Sequence, residues 1–374
     1  MTATVGVNLL WLVPGVVGGS EVSTITTLHA IAENHPDDLR YVLFALGPFA
    51  DAHPELADFF DVEVLPLSGR LKGLRVAAEQ SWLIAQARRH QVDVMHHMGG
   101  TMPLAGGPPA VLSIHDLQPF QHPENFHPLK RAWLARAVPR SLRRARLVLT
   151  PSEWVRQTVI EHFDADPAVV RTVHHGVPPL PDPAPASEVR ARHGIDGRFV
   201  LYPAITYPHK DHLTLVRAFS RLGPDHRDVS LVLTGGHGPA ETEVLDEVAA
   251  LGLGDRVRRL GRIPLPDLVA LLDEADVVAV PSRYEGFGVP LVEAMSRGRP
   301  LVACEATAVP EVVGDGALLV APAAVAEWAA ALDRLLGDDE LCRAMGERGR
   351  RRAASFSPGA NAAATVAAHR EVLG

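Results

Sequence analysis

Residues 277–295 read VVAVPSRYEGFGVPLVEAM. The apolar run Val277–Val280 has the unbroken, branched character of a strand buried on both faces. Gly286 and Gly288 then free the backbone to approach a ligand closely. Pro290 suits the first position of a helix, where its missing N–H would be unpaired anyway. The stretch is therefore a strand, a glycine loop and a helix. The N–H groups of Gly288, Val289 and Leu291 are expected to point out of the helix start, a place that attracts anions and suits a diphosphate. Glu285 precedes the helix and Glu293 lies in its first turn, and each carboxylate can accept hydroxyl hydrogens from a sugar or ribose. Read alone, the same residues also describe a plain glycine turn and an acidic first turn favoured by the helix dipole.

The rhythm of strand then helix continues in both directions. Upstream, residues 5–13, 41–46, 62–65, 92–95, 110–114 and 147–150 read as apolar strands. Gly18 and Gly19 turn the first of them, and Ser20 is placed to cap a helix reaching about Ala32. Ser152 caps another, with Val155, Val159 and Phe163 on one face. Pro178, Pro179, Pro181, Pro183 and Pro185 then break the pattern as a stiff linker. Beyond it, residues 199–204, 229–233, 257–260, 277–280, 301–304 and 317–320 read as strands, and 358–373 as a closing helix. Alternation on both sides of one linker predicts an α/β chain with two parallel-sheet, Rossmann-like domains. The expected boundaries are 1–178, a linker over 179–197, 198–356, and a terminal helix over 357–374. Such sheets bind ligands outside the carboxyl ends of their strands, so two of them would face each other across a cleft.

Composition narrows the function. A length of 374 residues exceeds one ordinary core. The net charge of −8 argues against general nucleic-acid binding. No apolar run is long enough to span a bilayer. Met1 runs into a strand pattern without a basic leader, so no secretory signal is expected. Cys304 and Cys342 are the only cysteines, too few for a disulfide framework or a zinc cluster, and a reducing cytoplasm is the expected location. Of the 36 basic residues only Lys72, Lys130 and Lys210 are lysines, which singles each of them out.

Glu285 and Glu293 form an E-x7-E pair, and with the Glu285-Gly286-Phe287-Gly288 core the chain resembles the retaining glycosyltransferases of family 4 (group 1), which have the GT-B fold. The resemblance runs through the second half and more loosely through the first. It implies a hexosyl transfer from a nucleotide-diphosphate sugar to a hydroxyl of a saccharide, glycolipid or natural-product acceptor, with GDP-mannose-like donors favoured and UDP-sugars as the alternative. It implies that Glu293 binds the donor ribose, that Glu285 holds the transferred sugar with help from the backbone at Phe287, Gly288 and Val289, and that the last helix crosses back to the first domain.

Other segments fit the same reading. Lys210 stands before a helix, where an ammonium can neutralise the charge growing on a leaving diphosphate; the family keeps a lysine there. Many members also carry an arginine six residues earlier, where this chain has Ala204. Thr206, His209, Arg262 or Arg283 are the candidate substitutes. Gly18 and Gly19 resemble the family's phosphate-facing loop, and Gly235, Arg262 and Ile263 its loops around phosphates and base. His115 and Asp116, at a strand end, match a His-Asp near sugar and acceptor. His96, His97, His174 and His175 read as packed histidines. A dinucleotide oxidoreductase is disfavoured, since Gly15, Gly18 and Gly19 do not spell G-x-G-x-x-G. A nucleotide-sugar epimerase or hydrolase, or a non-catalytic sugar-nucleotide-binding protein, remains the alternative. The Asp164–Asp166 pair matches a metal-binding D-x-D only formally because it follows a helix, so no metal or other cofactor is expected. Residues 130–146 carry seven basic residues and no acid, a surface suited to peripheral membrane contact.

Overall fold

The computed structural model describes residues 2–16, 18–34 and 36–374. It divides into two compact units, Met1–Val177 with Ser357–Gly374, and Pro178–Phe356.

The first unit holds a parallel sheet of seven strands: β1 (Ala3–Asn8), β2 (Leu39–Leu46), β3 (Asp61–Leu65), β4 (Val94–His97), β5 (Ala110–Ser113), β6 (Leu147–Thr150) and β7 (Val170–Thr172), in the spatial order β3-β2-β1-β4-β5-β6-β7. β4, β5 and β6 are buried along their whole length, as parallel strands covered on both faces must be. β1 stops at Asn8, short of the expected Val13. Asn8 turns its side chain back to accept from the Leu10 N–H at 3.1 Å, so Leu9, Leu10 and Leu12 are buried in a turn. β7 was not legible, because a three-residue edge strand with one buried position leaves no pattern. Ser20, expected as a cap, is the second residue of the helix Gly19–Asn34. That helix buries Ser23, Thr24, Thr26 and Thr27 along with its apolar side chains.

The terminal helix Pro358–Leu373 packs into this unit. Ala362, Val366 and Ala368 join the core formed by β1, β2 and the helix Gly19–Asn34. Thr27 Oγ1 donates to Asn361 Oδ1 at 2.7 Å, and Asn361 Nδ2 donates to the His174 carbonyl at 2.7 Å. His369 links Tyr41, at 3.0 Å, to His96, also at 3.0 Å.

The second unit has six parallel strands: β8 (Phe199–Pro203), β9 (Ser230–Thr234), β10 (Val257–Gly261), β11 (Val277–Val280), β12 (Leu301–Cys304) and β13 (Leu318–Val320), in the order β10-β9-β8-β11-β12-β13. Within the expected linker, residues 186–193 form a helix instead, Ala186–His193. It is anchored by the fully buried Val189 and by Arg192 paired with Asp267. One buried residue in eight, with only small alanines beside it, gave no periodicity to read. In each unit the strand order reverses beside its first strand, between β1 and β4 and between β8 and β11. Ligands of doubly wound sheets bind outside the carboxyl ends of the strands at such reversals.

Candidate functional site

The second unit's reversal brings together the loops after β8 and β11. Tyr202, at the end of β8, is buried. Its hydroxyl donates to the Lys210 carbonyl at 2.7 Å and lies 3.0 Å from Ser282 Oγ. Burial pushes that hydroxyl well above its ordinary pKa, so it stays a neutral donor. The Arg283 N–H donates to the His209 carbonyl at 2.8 Å. These bonds lace the two loops and place Lys210 Nζ 2.6 Å from Glu285 Oε1, both side chains largely shielded. The Glu285 N–H is held by Thr307 Oγ1 at 3.0 Å. Tyr202, Ser282 and Thr307 escaped the sequence reading; the only signal was an aromatic hydroxyl at a strand end needing a partner.

The helix after β11 is Val289–Ser296, with Gly288 before it at φ 94°. A Cβ at Gly288 would sit 2.6 Å from Leu291 Cδ1, so both backbone and space demand glycine. Pro290 occupies the second helical position rather than the first. The Leu291 N–H donates to the Gly288 carbonyl at 3.0 Å. It is therefore spent inside the turn, and the expectation that it points outward is corrected. Phe287 is buried, edge-on to Phe356 at 5.2 Å. Glu293 is half-buried, and no described residue donates a hydrogen bond to its carboxylate. Burial raises its pKa to about 7.

Beside this pair, Gly235 packs against the loop after β8; a Cβ there would lie 2.4 Å from the Ala204 carbonyl oxygen. Arg259 donates to the Gly235 carbonyl at 2.8 Å and to the Gly236 carbonyl at 3.0 Å, and it also pairs with Glu241 at 2.9 Å. Burial would raise the Glu241 pKa, yet bonds from Arg259 and Thr206 hold it down at about 2. Arg262 is exposed and lies over Gly236. Arg283 is engaged with Asp211 at 3.4 Å, whereas Arg262 has no carboxylate within ion-pair distance among the described residues. Ile263 follows Arg262, half-buried, after β10.

In the first unit, Gly18 precedes and Gly19 opens the helix Gly19–Asn34, and Glu21 accepts from the Gly15 N–H at 3.0 Å. His115 follows β5. Its Nε2 donates to the Met98 carbonyl at 2.8 Å, and its ring lies 5.8 Å from Trp11 and 5.4 Å from His175. Burial lowers its pKa, so the ring is neutral at physiological pH. Asp116 is exposed and accepts from the Gln118 N–H at 2.9 Å. A cavity of about 30 Å³ beside His115 is lined by Ser23, His96, Ser113 and Thr365, and by the apolar Met98 and Leu149. The neighbouring histidines are committed to structure: His96 to Ser113 at 2.8 Å, His97 to Asn8 at 3.2 Å and His175 to Ser23 at 2.6 Å. Asp164 closes the helix Glu153–Phe163 in a left-handed conformation, and Asp166 accepts from the Ala168 N–H.

Two family models match the chain, "Glycosyltransferase Family 4" over residues 17–179 and "Glycosyl transferases group 1" over residues 186–352. Among curated relatives, an MMP alpha-(1->4)-mannosyltransferase of Mycolicibacterium hassiacum is 37% identical over 66% of this chain and 59% of its own length. The O-antigen chain mannosyltransferase B of Escherichia coli is 32% identical over 66% of each. A D-inositol 3-phosphate glycosyltransferase of Mycobacterium tuberculosis is 35% identical over 61% of this chain and 49% of its own. The matches thus span about half to two-thirds of these relatives. Among solved structures, Anabaena Alr3699/HepE in complex with UDP and glucose superposes with TM-score 0.77 at 23% identity, covering 99% of this chain and all of that one. A sucrose-phosphate synthase of Thermosynechococcus elongatus does so with TM-score 0.77 at 19% identity, covering 99% of both. The fold they share is GT-B. With one glycosyltransferase model on each half, the chain belongs to the group 1, family 4 glycosyltransferases.

Proposed function

We propose that the protein is a retaining, metal-independent glycosyltransferase that moves a hexosyl group from a nucleotide-diphosphate sugar to an acceptor hydroxyl. The observation that carries this reading is the meeting of Lys210 and Glu285 at the strand-order reversal of the second unit, with Glu293, to whose carboxyl no described residue donates, in the helix that follows. A ribose diol supplies two donors to Glu293. A diphosphate draws the Lys210 ammonium away from Glu285, and the freed carboxylate accepts hydroxyls of the transferred sugar. Arg262 takes the part of the second phosphate cation that Ala204 cannot play. As the glycosidic C–O bond breaks, the leaving diphosphate keeps the electron pair, and Lys210 and Arg262 stabilise its growing charge. The acceptor hydroxyl attacks from the leaving-group side and its proton passes to the departing phosphate oxygen. No step needs a covalent carboxylate or a metal. His115, neutral and fixed by Met98, and Asp116 are assigned to the acceptor side. The names of two relatives favour a mannosyl donor, and the UDP and glucose bound to the HepE structure keep uridine donors open.

The test is release of nucleoside diphosphate from UDP-, GDP-, ADP- and dTDP-sugars, with and without a saccharide acceptor and with and without EDTA. Acceptor-dependent release that survives EDTA and gives a product of unchanged anomeric configuration is expected. Turnover without acceptor points to a hydrolase or epimerase, loss in EDTA ends the metal-free claim, and an inverted product ends the retaining one.

A further inference from the structure

Glu241 opens the helix Glu241–Ala250, a place where a carboxylate is favoured by the helix dipole and ordinarily stays in water. This one is turned inward, with only 14% of its side chain exposed. It accepts from Arg259 through both oxygens, at 2.9 and 3.0 Å, and from the fully buried Thr206 at 2.5 Å. Thr206 Oγ1 in turn accepts the Gly238 N–H at 2.7 Å. Arg259 spends the rest of its fork on the Gly235 and Gly236 carbonyls, so four of its five N–H groups are engaged at once. A single carboxylate therefore ties the loops after β8 and β9 to the strand β10. The consequence falls on the backbone. In a trans peptide the N–H points opposite to the preceding carbonyl. With the Gly235 and Gly236 carbonyls fixed on Arg259, the N–H groups of Gly236 and His237 point away from it, and no described residue accepts from either. Successive unpaired N–H groups at a bend form a concavity that takes anions. Arg262 passes the same residue: its Nη2 would lie 3.6 Å from a Cβ on Gly236.

We propose that Glu241, Arg259 and Thr206 are positioning residues that hold the Gly236 and His237 N–H groups, beside Arg262, as a receptor for one phosphate of the donor's diphosphate. The inference rests on the donor-side reading of this unit and deepens it. Where the resemblance calls for a second arginine and the chain has Ala204, the phosphate meets two fixed amides and one guanidinium. Amides held in place before the ligand arrives lose little freedom on binding it. The fork itself matters: a lysine at 259 can still pair with Glu241, but as a point charge it cannot hold a carboxylate and two carbonyls in one plane. Thr206 matters through its hydroxyl, which both accepts from Gly238 and donates to Glu241.

Calorimetric titration of the full chain tests it, with GDP and UDP as ligands and guanosine and uridine as their phosphate-free counterparts. Whichever diphosphate binds the wild type should bind R259K about tenfold or more weakly, while the matching nucleoside binds both proteins alike. T206V, which keeps the shape and drops the hydroxyl, should show the same loss, and T206S should restore the affinity. Each variant should keep a cooperative thermal melt, and the Thr206 pair decides alone should R259K fail to fold. Wild-type affinity for the diphosphate in R259K and T206V, with K210A still weakened, overturns this inference and leaves the donor reading standing. An equal loss of nucleoside affinity would mean that the brace serves the base or the fold at large, and overturns the phosphate receptor. No binding of either diphosphate to the wild type removes both readings.

Discussion

Among the acids of the candidate site, Glu293 is the one that burial pushes up. Its pKa rises from an ordinary 4.5 to about 7 because burial disfavours the charged form. A raised folded-state value means that this group's contribution to stability is complete below about 4.5 and is lost as pH climbs through 7. Glu293→Gln should therefore melt like wild type near pH ~4.5 and be more stable than wild type by about 1–3 kcal/mol near pH ~8, as read by thermal denaturation at both pH values. Equal melts at both would mean the carboxyl is not desolvated. Lys210 and Glu285 make a different prediction. Each shields the other, so removing one strands a partly buried charge. K210A or E285A alone should cost about 1–3 kcal/mol, and K210A/E285A should cost less than the sum, a double-mutant cycle measured by urea unfolding. Additive losses would show that the pair does not form. E285A should keep its fold, because the Glu285 backbone is tied by Thr307 rather than by its side chain, and should lose transfer.

At the scale of elements, unbroken apolar runs revealed eleven of the thirteen strands to within a few residues, and β1 was overrun only because buried leucines continue into its turn. β7 stayed hidden as a short edge strand. The terminal helix was read with both ends as found, since Ser357 caps it through the Ala360 N–H at 3.2 Å and Pro358 opens it. The helix Ala186–His193 was hidden by proline-rich flanks and a single apolar anchor. The glycine loop and its two glutamates were legible in one line of sequence. The lacing that positions them, from Tyr202 to Ser282 and from Arg259 to Gly235 and Gly236, was not, because it joins residues from separate strands. Gly288 links element to site. G288A forces an alanine into a left-handed backbone at a cost of about 1–2 kcal/mol and drives its Cβ against Leu291. Sugar-nucleotide affinity should fall at least tenfold while the helix content by circular dichroism stays near wild type, and unchanged affinity would remove this turn from the site.

At the scale of the molecule, the chain leaves the first unit at Val177 and returns to it at Ser357. The second unit is continuous in sequence, with its own sheet, so residues 178–356 expressed alone should fold cooperatively. Residues 1–177 alone lack the terminal helix, which supplies Ala362, Val366 and Ala368 to the core and His369 to Tyr41. They should melt without a sharp transition unless a peptide spanning 357–374 is added. A cooperative melt of 1–177 without the peptide would show that the returning helix is not needed for that core.

The central claim is that Lys210, Glu285 and Glu293 hold a sugar nucleotide. Calorimetric titration of GDP and UDP into the full-length wild type, K210A and E293Q near pH ~8 tests it most directly. One of the two diphosphates should bind the wild type at a single site, about tenfold or more weakly to each variant. Equal affinity across the three proteins, or no binding of either nucleotide, would contradict it.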